Sequence, residues 1–510
     1  MMFRKIKHGL TGLMMASLMV AAPVSAQDGS GFAALMDLLM SKVPPLSWAG
    51  LNAYKAPPPV AVTRAQCGPG SRPETGLQGQ VSLADRQSGR SAQGYQCNMA
   101  LVGQYQGVGS DWVSASNGRC AYMPTSWHGT TGGTHAQSGI QVIDFSDPAK
   151  PRYVRTLATR AARSGTWESL RISPDGAMLA AVSGGATIDF NKFDLYDIRD
   201  CTNPKLLNKQ LLNPNESSLV LNIGHEGEWS PDSKTYWTTG FISGTVSAID
   251  VSNPARPVTI YHGWAGAPVV HGMSFSPDGR RLYMTTDGIA GLLVLDVSAI
   301  QDRKLNKQIT PVSSLFWKDG FIGQRPHPVM YGTRPYLIYT DESRSGGVRL
   351  IDIADDRNPK VVTHIRLSIQ LPEHKVTRTK ELAKTGGFGY ESHYCTPDKD
   401  KDPSLLACTF FQSGVRVFDI ADPQKPREVA YFNPPAQTGK NAMLVGSAHN
   451  LPVEQPLLSD VDVGLLDMSQ ALGKANFTAD FCTSIPRWKG DQIWVSCTDN
   501  GFMVLQLKRP

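Results

Sequence analysis

The sequence predicts an all-β fold: a seven-bladed β-propeller closed by an N-terminal outer strand and preceded by an irregular N-terminal arm. Three observations predict it. Apolar β-prone runs recur at a spacing of roughly 50 residues along the chain. Asp/Asn-Pro and Pro-Asp-Gly turns bound these runs, as short antiparallel strands require. Finally, the C-terminus supplies two strands with no outer partner, and residues 98–105 supply an outer strand with no blade before it.

Residues 1–26 read as a secretory signal. Arg4, Lys5 and Lys7 form a basic start, an apolar run extends from Gly9 to Ala22, and Val24-Ser25-Ala26 offers small residues for cleavage after Ala26. The apolar run is short for a retained membrane span. The expectation is a periplasmic or secreted protein with no membrane span after cleavage. Of the formal net charge of +6, three units belong to that signal, leaving 47 basic against 44 acidic residues. No basic stripe is present, which argues against a nucleic-acid partner. Export implies an oxidising compartment, in which the eight cysteines are available for disulfides. Residues 27–96 are rich in Pro and Gly, with one short helical pattern at 31–42. They predict an extended arm packed on the main domain and clipped by a Cys67–Cys97 bridge.

The propeller is assigned to residues 97–510. Its repeat unit is clearest at Val270–Val297. A strand leads into the Ser276-Pro277-Asp278-Gly279 turn, a second strand covers 281–285, and an apolar third covers 291–297. The third strand ends in a near-constant phrase: VIDFSDPAKP (142–151), LYDIRDCTNP (195–204), AIDVSNPARP (248–257), VLDVSAIQDR (294–303), LIDIADDRNP (350–359) and VFDIADPQKP (417–426). Six phrases make six blades. The runs 492–497 and 501–507 make the seventh, with 98–105 as its missing outer strand, which closes the ring and removes free sheet edges. The aspartate common to the phrases (Asp144, Asp197, Asp250, Asp296, Asp352, Asp419) suggests a hydrogen bond that caps each blade. These phrases resemble the LVIVD repeat family of bacterial exported β-propellers over about 98–507. The resemblance implies the fold and an exported location, and no particular reaction.

The innermost strands of a propeller line its channel, so equivalent positions share one height. With the Ser-Pro-Asp turn as a ruler, Glu168, His225 and His271 each precede its serine by five residues. Extending the register gives Asp111, Glu168, His225, His271, His327, His393 and Asp480 in blade order. Four imidazoles at one height suit Fe, Cu, Zn or Ni. The sequence therefore predicts one metal held by His225, His271, His327 and His393. Asp111, Glu168 and Asp480 stand by as acid/base or ligand-orienting groups. The layout is similar to that of carotenoid-cleavage oxygenases and of methanethiol oxidases, although neither family's motifs are present. Oxidative or lyase chemistry on a small organic substrate is the first expectation. A non-catalytic propeller that binds a protein or envelope partner is the second.

The long connections 309–326, 370–392, 433–480 and 124–138 are expected on the face where the inner strands begin, which places His128, His135 and His449 near the channel mouth. Cys395 and Cys408 flank a hairpin turn and Cys482 and Cys497 repeat the arrangement, so two disulfides are predicted there; Cys120 and Cys201 have no assigned partner. The acidic run 398–402 reads as a solvated turn more than as a Ca²⁺ loop. Motifs for serine hydrolases, P-loop NTPases, dinucleotide binding and HExxH metalloproteases are absent.

Overall fold

Seven antiparallel sheets follow one another along the chain and close into a ring. The computed structural model describes residues 54–125, 137–183, 192–208, 224–240, 244–288, 290–342, 346–382, 388–440, 443–450 and 477–509. The signal region, the helical pattern at 31–42, His128 and His135 lie outside the described residues. In blades 1 to 6 the four strands run from the channel outward in chain order; blade 4, for example, is Val270–Phe275, Arg281–Thr286, Gly291–Asp296 and Thr310–Phe316. Blade 7 is completed as predicted: Met99–Tyr105 pairs antiparallel with Gly501–Leu507 on its outer side, while Gln492–Cys497 and Arg487–Lys489 lie within. One connection expected to be long is not a loop. Residues 310–316 form the outer strand of blade 4, half-covered as an edge strand is, with Leu315 its one buried residue.

The third strands are buried almost throughout, as in Ile140–Asp144 and Gly414–Asp419, which is why they are mainly apolar. Packing runs between blades: Ile338, Val348 and Leu350 of blade 5 share a cluster with Leu406, Cys408 and Phe418 of blade 6. The repeated aspartate ends the strand. In all six phrases its Oδ1 accepts the backbone N–H two residues on, at 2.8–3.0 Å. This is the turn-forming hydrogen bond to which Asp is suited.

The arm packs on blade 6. Tyr95–Cys97 adds a fifth strand beside Arg427–Asn433, and Cys67 is bonded to Cys97. The two hairpin disulfides form as predicted, Cys395–Cys408 and Cys482–Cys497. Cys120 of blade 1 reaches Cys201 in the turn after the third strand of blade 2. All eight cysteines are thus paired, as in an oxidising compartment. The described residues contain no helix long and apolar enough to cross a membrane.

Cys120–Cys201 closes the longest loop, 81 residues, and joins two blades. Chain-entropy arguments give such a loop about 4.5 kcal/mol, against about 3 kcal/mol for the 13-residue Cys395–Cys408 loop. Replacing both cysteines of the inter-blade pair by Ser is expected to cost more stability in urea denaturation than the same change in the hairpin pair.

Candidate metal centre

Three of the inner strands share a device that aims side chains into the channel. In blades 3, 4 and 6 two consecutive residues, His225-Glu226, His271-Gly272 and His393-Tyr394, stand opposite one residue of the neighbouring strand. Such bulges re-aim side chains. The facing residue is Thr239, Thr285 or Thr409, whose hydroxyl accepts the N–H of the second bulge residue at 3.4, 2.9 and 3.2 Å. In blade 5 the unpaired residue is Gln324. Gly272 allows the inner strands of blades 4 and 5 to touch, since a Cβ there would lie 1.7 Å from the Gln324 carbonyl oxygen.

The three histidines converge on the carboxylate of Glu168. Its Oε2 is 3.1 Å from His225 Nε2 and 3.2 Å from His271 Nε2. Its Oε1 is 2.7 Å from His393 Nε2 and accepts a hydrogen bond from Gln324 Nε2 at 2.8 Å. Glu342 Oε1 stands 3.6 Å from His393 Nε2. All of these side chains are buried. The metal-ligating atoms fall into two groups of three, Glu168 with His225 and His271, and Glu168 with Glu342 and His393, each within 4.8 Å of one another.

The arrangement fits a cation. Glu168 Oε2 lies between two imidazoles, 3.1 Å from His225 Nε2 and 3.2 Å from His271 Nε2. Donor atoms bound to one metal at about 2.0–2.2 Å stand roughly 2.8–3.6 Å apart, and the two Glu168 Oε2–imidazole distances fall in that range. Gln324 Oε1, Asp287 Oδ2 and Asp111 Oδ1 are buried without a hydrogen-bond partner. The ring orientations are held from behind, as ligating imidazoles usually are. His393 Nδ1 faces the Thr483 carbonyl. His271 Nδ1 lies 3.5 Å from the Gln324 carbonyl and 3.9 Å from Glu226, which Arg171 and Tyr394 hold at 2.7 and 2.9 Å.

Charge is concentrated here. Burial pushes the carboxyls of Glu342 up to about 8, and those of Asp287 and Glu226 up to about 7. Burial also opposes ionisation of Glu168, but the charge of His271 and the three histidine contacts outweigh it and hold Glu168 well below the usual carboxylate range. His225 is lowered to about 4 by burial, leaving it a neutral imidazole able to donate a lone pair. His271 moves the other way: burial lowers it, yet Asp287 and Glu168 carry it well above its ordinary value.

The predicted ring is met in part. Glu168, His225, His271 and His393 come together, whereas His327 does not join them. Its Nε2 bonds Asp400 at 2.8 Å, where the acidic run 398–402 turns back against blade 5. Gln324 occupies the register position instead. The signal was present: Glu168, His225, His271 and Gln324 each precede by eight residues a left-handed turn residue, Gly176, Ser233, Gly279 and Gly332. Blade 5 lacks the Ser-Pro-Asp turn, so the original ruler could not be applied there.

Asp111 is buried, raised to about 7 by burial, and feels the charge of Glu168. Asp480 is spent on structure. It accepts the N–H groups of Phe481, Asp499 and Asn500 and the Asn500 amide, tying down residues 498–500. His449 bonds Asp499 at 2.9 Å and stacks on Phe481, outside both groups. Sequence reasoning missed Asp287 and Glu342, although each directly follows the second strand of its blade. It also missed an aromatic wall. Trp167 lies 5.5 Å from His225, Phe411 5.0 Å from His393, and Trp112 and Phe388 pack against them.

No protein-family model matches the chain, and no curated protein does. Solved structures resemble it at low identity. One is described as a candidate 6-phosphogluconolactonase from Bacteroides fragilis, 14% identical over 61% of this chain and 81% of that one, with a TM-score of 0.40. Another is a protein of unknown function from Desulfotomaculum acetoxidans, 13% identical over 64% and 90% of the two chains, with a TM-score of 0.39.

Proposed function

We propose that the protein is an exported metal-dependent enzyme in which His225, His271 and Glu168 hold a transition metal ion, Fe, Cu or Zn. The observation that carries this reading is the approach of two imidazole Nε2 atoms to one buried carboxylate oxygen, Glu168 Oε2, at 3.1 and 3.2 Å. Two nitrogens and one oxygen suit those metals. When bound, such an ion would supply Lewis-acid or redox chemistry at the channel. The chain's own residues supply the rest. Trp112, Trp167 and Phe411 exclude water from one side and offer an apolar surface to a small organic substrate. Asp111 is a buried carboxyl near neutrality with one unpartnered oxygen, suited to accept or return a proton. A redox-active ion held by this donor set would suit oxidative or lyase chemistry. The signal-like N-terminus and the paired cysteines support a periplasmic or secreted location, and the repeat phrases support membership of the LVIVD propellers.

Protein purified from the exported fraction without chelators is expected to carry bound Fe, Cu or Zn. His271→Ala lowers that content, whereas His327→Ala, which alters only the contact with Asp400, leaves it unchanged. Metal-free wild type, or content indifferent to His271→Ala, overturns the proposal and leaves a non-catalytic propeller that binds a protein or envelope partner.

A further inference from the structure

Glu168 presents each of its two carboxylate oxygens to a different set of donors. Oε2 faces His225 and His271, while Oε1 faces His393 and Gln324, with Glu342 beyond. We propose that the channel holds a second metal ion among Glu168 Oε1, His393 Nε2 and Glu342 Oε1, so that Glu168 bridges two ions. The inference rests on reading the His225–His271 group as a metal site.

One ligand atom each of Glu168, His393 and Glu342 lies within 4.8 Å of the others, and Glu168 Oε1 and His393 Nε2 are 2.7 Å apart. The place is closed to water: His393 is 0% exposed, Glu168 2% and Glu342 6%. Two carboxylates buried side by side are costly without a cation between them. The Thr483 carbonyl holds the His393 ring from behind at Nδ1, which leaves Nε2 turned to the two carboxylates.

A cation there would lie between the Glu168 oxygen and the His393 nitrogen, and Glu342 adds a second carboxylate oxygen at 3.6 Å from His393. The second set is richer in oxygen than the first, one nitrogen against two. It therefore suits a harder divalent ion such as Mn²⁺ or Fe²⁺.

The test is a Co²⁺ titration of metal-stripped, full-length protein, followed by calorimetry and visible absorption. Wild type is expected to bind two equivalents; Glu342→Gln and His393→Ala each bind one and keep the signal of the His225–His271 position. Glu342→Gln is the milder change, and circular dichroism verifies its fold. One equivalent in wild type overturns the second ion and leaves the first. Binding of no Co²⁺ overturns the underlying reading as well. Two equivalents undiminished in both variants place the extra ion elsewhere and also overturn the proposal. Mn²⁺-loaded protein should show exchange-coupled rather than isolated-ion electron paramagnetic resonance, because a shared carboxylate couples the spins.

Discussion

Glu168→Gln is expected to lower metal affinity at least a hundredfold, about 2.7 kcal/mol, while the propeller stays folded. The substitution keeps the shape of the side chain and deletes its charge. Three histidines depend on that charge: His225 at 3.1 Å, His271 at 3.2 Å and His393 at 2.7 Å. An amide has one oxygen to offer instead of two, and it brings an N–H into a cluster of nitrogen donors. Metal content of the purified variant, with its melting temperature as a folding control, decides the matter. If Glu168 served only as the buried ion-pair partner of His271, the variant would lose stability and retain whatever metal the wild type carries. That result would remove Glu168 from the site.

Arg416→Ala is expected to produce the largest loss of stability outside the channel, about 3–5 kcal/mol. Arg416 is fully buried in the third strand of blade 6. It contacts Glu74 of the arm on one side and Glu428 of the outer strand at 2.9 Å on the other, with its guanidinium 4.5 Å above the Tyr431 ring. Glu428 in turn accepts Gln78 Nε2 at 3.0 Å and the Ala65 N–H at 3.1 Å. Removing the cation leaves Glu428 without a charge partner and Glu74 with only the half-exposed Arg64 at 3.2 Å, and burial already raises the Glu74 carboxyl. The same principle predicts recovery when the triad is replaced whole: Glu74→Leu/Arg416→Met/Glu428→Leu should be closer to wild type than the single variant. Urea midpoints rank the proteins, and faster proteolysis within residues 54–97 would show that the arm has come loose. Equal stability of single and triple variants would mean that packing, rather than charge pairing, docks the arm.

Most of the architecture was legible because it is written in short-range terms. The aspartate phrases mark strand ends through a hydrogen bond spanning two residues, and the unpaired outer strand at 99–105 could belong only to blade 7. The site was legible where the turn spacing was regular, at Glu168, His225 and His271. At blade 5 a tempting histidine stood three residues beyond the true position, and Gln324 looked unremarkable. Asp480 had the right register and the wrong employment, because its partners in 498–500 come from a loop whose path the residue pattern does not state.

The linear chain alone determined the blade count, the way the ring closes, two hairpin disulfides and the arm's own disulfide, since these follow from alternation, turns and spacing. Tertiary structure alone decided which side chains meet. Glu168 became the hub rather than an onlooker, Glu342 and Asp287 entered from the ends of second strands, and Cys120 found Cys201. The physical reason is that convergence depends on bulges and on contact between neighbouring blades. Those contacts join residues as far apart as 168 and 393, and no local pattern encodes a distance of 2.7 Å between them.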